Sequence, residues 1–338
     1  MNKNISIAVL IIPFALLGAF SAKAEIEEVV VTATKRVANV QDVPIAVTAL
    51  SSTQLEREGV DTMRDLSRLS ASFSMNTTDS EAGSGTFRIR GVGTTGNNIG
   101  LEQSVGVFLD GAYLSRPGVA LGDLVDLEQI EVLRGPQGTL FGRNTSAGAI
   151  SIKTKTASLT ETESFVNVGL ENFNGYNLQA GFTAPIIDDK LGFRLSGSYR
   201  QRDGFLEAEL TDEESYTRDR LSLRSQLQWE IDEDSSLRVI VDYSTLDENC
   251  CDAVILGETP FVGLFAGTGL PADGGNPGGS GDIDDLKSAA GGYGSKIDQW
   301  GISAEYNWQG ANHSFTYLGS YRKFETDLQR RDFVGIEV

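Results

Sequence analysis

The chain reads as an α+β module seated inside an antiparallel transmembrane β-barrel, with the barrel incomplete in these 338 residues. Three observations predict this. The chain opens on a short apolar leader, a compact Gly-rich segment follows from Val37, and from Ser164 the sequence becomes long alternating strands. A small folded unit ahead of amphipathic ribbons is the order that a barrel with a filled lumen requires.

The leader has Lys3, an apolar run from Ile5 to Phe20, and then Ser21-Ala-Lys-Ala24. A basic start, an apolar stretch and an Ala-x-Ala signal mark residues 1–24 as a secretory signal peptide. The run contains Pro13 and Gly18 and is barely long enough to cross a bilayer as a helix. No second apolar helix follows. A membrane form must then be a closed barrel, because only helices and barrels satisfy backbone groups in lipid.

Charge and composition narrow the function. The chain carries 28 basic and 47 acidic side chains, for a net charge of −19. The leader holds two lysines, Lys3 and Lys23, and no acid, so its removal takes −19 to −21. That balance argues against a nucleic-acid partner, whose phosphates attract basic surfaces. His313 is the single histidine, which leaves no basis for a His-based metal site or a Ser-His-Asp triad. No nucleophile–base pair or ligand cluster suggests an enzyme, a cofactor or a bound metal. Cys250 and Cys251 are adjacent and provide no disulfide framework, although an oxidising compartment would allow a strained vicinal bridge.

The module spans roughly 37–157. Pro44 to Leu50 reads as a strand, and a helical turn runs from Ser51-Ser52 to Gly59, where Gly suits the C-terminal cap. Asp61 can cap a second helix that aligns Met63, Leu66 and Leu69. Phe87 to Arg90 is a short strand running into glycines. Gly91-Val-Gly-Thr-Thr-Gly96 fits a dinucleotide-binding pattern, but the Asn97-Asn-Ile-Gly that follows is poorly helical, so the segment reads as a mobile loop. Val105 to Leu114 is a hairpin, with Asp110-Gly111 supplying the positive φ values of its turn. Leu121 to Leu127 is a helix candidate, Gln129 to Arg134 a strand ended at Gly135-Pro136, and Ala149 to Lys153 a last alternating run.

From 158 onward period two dominates. Phe193, Leu195, Gly197 and Tyr199 alternate with Arg194, Ser196, Ser198 and Arg200, and the runs at Leu221–Trp229, Leu237–Tyr243 and Trp300–Trp308 repeat the pattern. Strands fall near 164–170, 175–184, 190–203, 217–230, 236–246, 296–309 and 313–326. Runs of about ten residues exceed the five or six usual for a soluble sheet. One set of links stays short, while the other lengthens from 171–174 to 204–216 to 247–295, as periplasmic turns and external loops do. The longest link carries Asp282-Ile-Asp-Asp285, which reads as a solvated acidic loop rather than a Ca²⁺ site. Seven strands do not close a bacterial barrel, and no partner follows the last run, so a longer protein is expected.

With module and strands placed, the segment between them and the leader becomes legible. Glu28, Val29, Val30, Val31, Thr32 and Ala33, followed by Thr34-Lys-Arg36, resemble the TonB box of TonB-dependent outer-membrane receptors, within a segment covering 25–36. The module resembles that family's plug at Asp42–Thr48, Phe87–Gly93, Val105–Gly111, Ile130–Arg143 and Gly148–Ile152, in order. The resemblance implies an outer-membrane receptor that imports a scarce extracellular ligand such as a ferric siderophore, with vitamin B12, haem or glycans as alternatives. It implies that the box engages TonB, with ExbB and ExbD behind it, and that the barrel contacts outer-membrane lipid. An untethered segment rich in β-branched residues suits strand addition to a partner's sheet. The resemblance further assigns Arg90 and Arg134 to a plug–barrel lock, their acidic partners lying on later strands. It places Thr94, Thr95, Asn97 and Asn98 on a ligand-facing loop. A passive pore needs an open lumen, and a signalling form needs a domain before the box, where only Glu25-Ile-Glu27 stands. A transport-incompetent fragment remains the alternative.

Overall fold

The computed structural model describes residues 30–32, 35, 38–76, 85–94, 102–116, 124–208, 214–250, 287–288 and 293–329. The expected signal peptide, Glu28, Val29, Ala33, Thr95, Asn97, Asn98, the Asp282–Asp285 run and Cys251 lie outside them, as does the side chain of Cys250.

Seven long strands form one antiparallel wall in simple sequence order: Glu163–Glu171, Gly175–Ile187, Leu191–Arg202, Arg218–Glu230, Ser235–Cys250, Tyr293–Gln309 and Ser314–Gln329. All seven expected strands are present, several a few residues longer than the alternation alone indicated. Their two faces are inverted relative to a soluble sheet. Val168 and Leu170 are 70% and 86% exposed, and Leu195, Leu223, Trp229, Trp300 and Tyr317 share that outer face. Meanwhile Arg194, Ser196, Ser198 and Arg200 are at most 5% exposed on the inner face. A water-soluble sandwich buries the apolar face. Here the polar face is buried and a continuous apolar belt is left outside, which is the requirement of a sheet solvated by lipid.

What covers the polar face is the module, hereafter the plug. Its core is a five-stranded sheet in the order Val47–Ser51, Leu127–Arg134, Gly148–Thr154, Val105–Leu109, Ala112–Leu114. Gly148–Thr154 runs parallel to Val105–Leu109, and the remaining pairs are antiparallel. The helices Ser52–Arg57 and Leu66–Leu69 pack on one face, where Leu55, Met63, Leu66, Phe87, Ile130, Val132 and Ile150 make the main core. A smaller cluster of Val31, Phe108, Leu133 and Ala149 lies on the opposite face. Because Leu127–Arg134 is an inner strand covered on both faces, Ile130 to Leu133 are all buried, and period two disappears locally.

Three local expectations need correcting. Leu124 to Leu127 is not helical: Asp126 sits at φ 58, and the strand begins at Leu127. Asp61 does not cap a helix. Asp65 stands at the N-cap position of Leu66–Leu69 but makes no side-chain cap bond; its Oδ2 accepts instead from the preceding turn, from the Thr62 amide at 2.9 Å and hydroxyl at 2.7 Å. The start of the glycine-rich stretch is no loose loop, since Val92–Gly93 pairs back on Arg88–Ile89 as a tight hairpin. The hairpin turn at Asp110 and Gly111 stands as expected, with φ values of 47 and 80.

Candidate functional site

Two arrangements on the plug carry functional geometry. The first is the docking of the N-terminal segment. Val30–Val31 pairs antiparallel with Ala38–Asn39, and Val31 is fully buried against Phe108, Leu133 and Ala149. Beneath it lies Glu131, a carboxylate with no solvent exposure. Its Oε1 accepts from the Thr32 amide at 2.6 Å, the Thr32 hydroxyl at 3.0 Å and the Gln129 amide at 2.9 Å. Gln129 also donates to the Val30 carbonyl at 3.0 Å. Over Val30 to Thr32 the segment is therefore stowed, not untethered as the sequence suggested. The reason is specific: β-branched Val31 fills an apolar depression, and a buried carboxylate that must be hydrogen-bonded finds its donors on Thr32.

Lys35 completes the dock. Its ammonium lies 4.3 Å from the centroid of Phe141 and 5.5 Å from that of Phe108, a cation–π placement. Burial of the ammonium between these rings pulls its pKa below the ordinary lysine value, while the negative charges of Glu305 and Glu131 oppose the shift.

The second arrangement is a polar seam between plug and wall. Asp126 accepts from both Nε and Nη2 of Arg194 at 2.5 Å, with both side chains buried. Asp110 accepts from the Thr154 amide at 3.0 Å and hydroxyl at 2.9 Å and lies 3.3 Å from Arg238 Nη2. Arg238 donates onward to the Thr154 carbonyl, and Gln226 donates to the Thr154 hydroxyl and the Lys155 carbonyl. Asp61 accepts from Arg200 at 3.1 Å and Gln179 at 3.3 Å. Three plug aspartates thus meet three wall arginines. Asp126 and Arg194 are both desolvated and paired, as burial demands, whereas the Asp61 end of the seam keeps its carboxylate partly in solvent.

This seam was not foreseen, and its polarity is opposite to that of the expected lock. Arg134 donates to the Ala46 and Val47 carbonyls of its own plug, and Arg90 is exposed in a turn at φ 55. Among the described residues neither arginine forms an ion pair. Thr94 spends its hydroxyl closing its own loop, with Ser104 Oγ at 3.2 Å and the Ser104 amide at 2.9 Å. The only signal for the seam in the sequence was the arginines on one period of the wall strands, and the pairing of Arg194 with Asp126 spans 68 residues.

With the geometry in place, comparison with known proteins is consistent on fold. The family model described as TonB-dependent Receptor Plug Domain matches residues 39–149. The pesticin receptor of Yersinia pestis is 28% identical over 181 residues, 52% of this chain and 26% of the relative. The ferripyoverdine receptor of Pseudomonas aeruginosa is 19% identical over 227 residues, 64% of this chain and 25% of the relative. Among solved structures, the ferric yersiniabactin uptake receptor from Yersinia pestis superposes with a TM-score of 0.70 at 15% identity, covering 84% of this chain and 42% of that one. The outer-membrane ferripyoverdine receptor of Pseudomonas aeruginosa bound to ferripyoverdine gives 0.67 at 16% identity, covering 88% and 37%. The chain spans about a quarter of the length of these sequence relatives.

Proposed function

Residues 39–149 are the plug of a TonB-dependent receptor, and on that premise we propose that the chain serves active import across the Gram-negative outer membrane, with a ferric siderophore as ligand. The observation that carries the reading is the pairing of a plugged, lipid-facing wall with an N-terminal segment stowed on the plug. A passive channel needs neither. The choice of ligand rests on relatives whose names specify ferripyoverdine and ferric yersiniabactin.

In this reading Glu28 to Ala33 form the TonB-binding segment. TonB captures it by strand addition, supplying main-chain bonds in place of those from Ala38–Asn39, and must also displace Thr32 from Glu131. The segment is thus available only when its dock opens. Pull transmitted through it acts on the strand Leu127–Arg134, an inner strand of the plug sheet, next to the seam at Asp126. Arg90 and Arg134 hold the plug against wall strands beyond the seven described, and the loop of Thr94, Thr95, Asn97 and Asn98 faces the ligand.

The test is uptake of radiolabelled iron by iron-starved cells carrying or lacking this gene, across a panel of ferric siderophores. Gene-dependent uptake of at least one complex, abolished when TonB is absent, is expected. Uptake that is independent of the gene for every complex would overturn the reading.

A further inference from the structure

A cavity of about 60 Å³ lies between plug and wall, lined by Val125 and Leu127 on either side of Asp126 but by neither Asp126 nor Arg194 themselves. The plug contributes Leu114, Leu124 and Val125, and the wall contributes Arg224, Gln299 and Arg322. Strand register sets Arg224 opposite Asp242, Asp242 opposite Gly301, and Gly301 opposite Arg322. Gly301 lacks the side chain that would separate its neighbours. A Cβ there would stand 2.7 Å from Arg322 Nη2 and 3.1 Å from Asp242 Oδ2. Arg322 therefore crosses Gly301 and grips Asp242 with two bonds of 2.6 and 2.8 Å, occupying both carboxylate oxygens.

No hydrogen bond or ion pair joins Arg224 to Asp242 among the described residues. The Nε of Arg224 is buried and finds no protein partner among the described residues. The same holds for Oε1 of Gln299, a side chain 7% exposed, whose Nε2 donates to Ser244 Oγ at 2.7 Å. A hydroxyl can donate as well as accept, so the Gln299 amide can turn over and present its N–H₂ to the cavity while keeping its bond to Ser244. Two guanidinium groups against one carboxylate leave a net positive charge, walled by apolar plug residues, in a chain whose formal charge is −19.

From this we infer that the cavity binds a small oxyanion, carboxylate- or sulfate-sized, held by Arg224 and Gln299. A charge-assisted acceptor supplies what Arg224 lacks, and the low-polarity plug face strengthens the attraction. Size sets the ligand class. A whole organic ligand needs roughly 300 Å³ or more, so only a single anionic group fits, either a free ion or the carboxylate arm of a larger molecule.

The inference is tested by calorimetric titration of the full chain in detergent with sulfate and, separately, with acetate at constant ionic strength. Saturable one-site binding of either anion is expected; acetate in preference to sulfate identifies a carboxylate site, and the reverse an inorganic-anion site. Arg224→Gln should weaken binding about tenfold or more, while Lys296→Gln, which removes an exposed charge, should leave it unchanged. Gln299→Glu, which sets a carboxylate in the cavity, should abolish it and covers the case in which Arg224→Gln fails to fold. Absence of saturable binding in the unaltered chain would mean a water-filled cavity and would overturn the proposal. Undiminished binding in folded Arg224→Gln or Gln299→Glu would overturn it equally.

Discussion

Replacing Glu131 by alanine should release the N-terminal segment without unfolding the plug beneath it. Glu131 Oε1 receives three donors, and two of them, the Thr32 amide and hydroxyl, belong to the segment. Bonds to a charged acceptor contribute about 1.5–3 kcal/mol each. Two that share one oxygen do not add fully, so their joint contribution is about 2–4 kcal/mol. At ~1.4 kcal/mol per tenfold, the opening constant of the segment rises roughly 30- to 700-fold. Burial of Val31 still favours docking by about 1.5 kcal/mol, so the segment becomes dynamic rather than wholly detached. The assay is native-state hydrogen exchange at the Thr32 amide, read beside Ile130 and Ile150 in the sheet. Thr32 should lose protection by that factor while the sheet amides keep theirs. Glu131 also carries a buried oxygen, Oε2, without a protein partner among the described residues, so removing the carboxylate relieves a desolvation cost and global stability should not fall in step. Glu131→Gln preserves shape and one acceptor and should lie between, near tenfold. Unchanged Thr32 exchange in Glu131→Ala, or equal loss of protection at Ile130, would refute the latch.

Further expectations follow from the seam, the dock and the outer face. Asp126→Ala strands the Arg194 guanidinium at a buried site and should cost about 3–5 kcal/mol, whereas Asp126→Leu combined with Arg194→Met should recover most of it; denaturant midpoints of the two variants and the unaltered chain decide. Lys35 binds its proton less tightly when docked than when free, so docking should strengthen as pH rises from its lowered pKa towards 10.5 and then level off. Thr32 exchange corrected for intrinsic rates should show that slope, and Lys35→Met should remove it. Leu223→Arg, on the outer face, should destabilise the barrel by about 2–4 kcal/mol if it lies at the bilayer midplane, read by folding titration into lipid vesicles.

Much of the wall was legible because its instructions are local. Leu195 and Ser196 state by their alternation which way each points, and lipid solvation explains why the Leu side is the exposed one. The plug was less legible where strands are covered on both faces. Ile130-Glu-Val-Leu133 carries no period, so nothing in the string indicated that Glu131 points at the N-terminal segment. Leu121 to Leu127 has helical composition, yet Asp126 is drawn out of a helix by its double contact with Arg194, a tertiary bond overriding propensity. Asp61 reads as a cap because aspartate before a helix generally is one, and only the proximity of Arg200 reassigns it to the seam.

The sequence by itself determined the order of parts, the strand positions and faces of the wall, the turn at Asp110-Gly111 and the segment that resembles a TonB box. Each depends on neighbours a few residues apart, where periodicity and backbone preference are written directly in the chain. Tertiary structure alone decided which polar groups meet: Asp126 with Arg194, Asp110 with Arg238, Asp61 with Arg200, and Thr32 with Glu131, 99 positions away. Desolvation requires that buried charges be paired, but it does not say with which partner. That choice belongs to the register and packing that bring distant strands together.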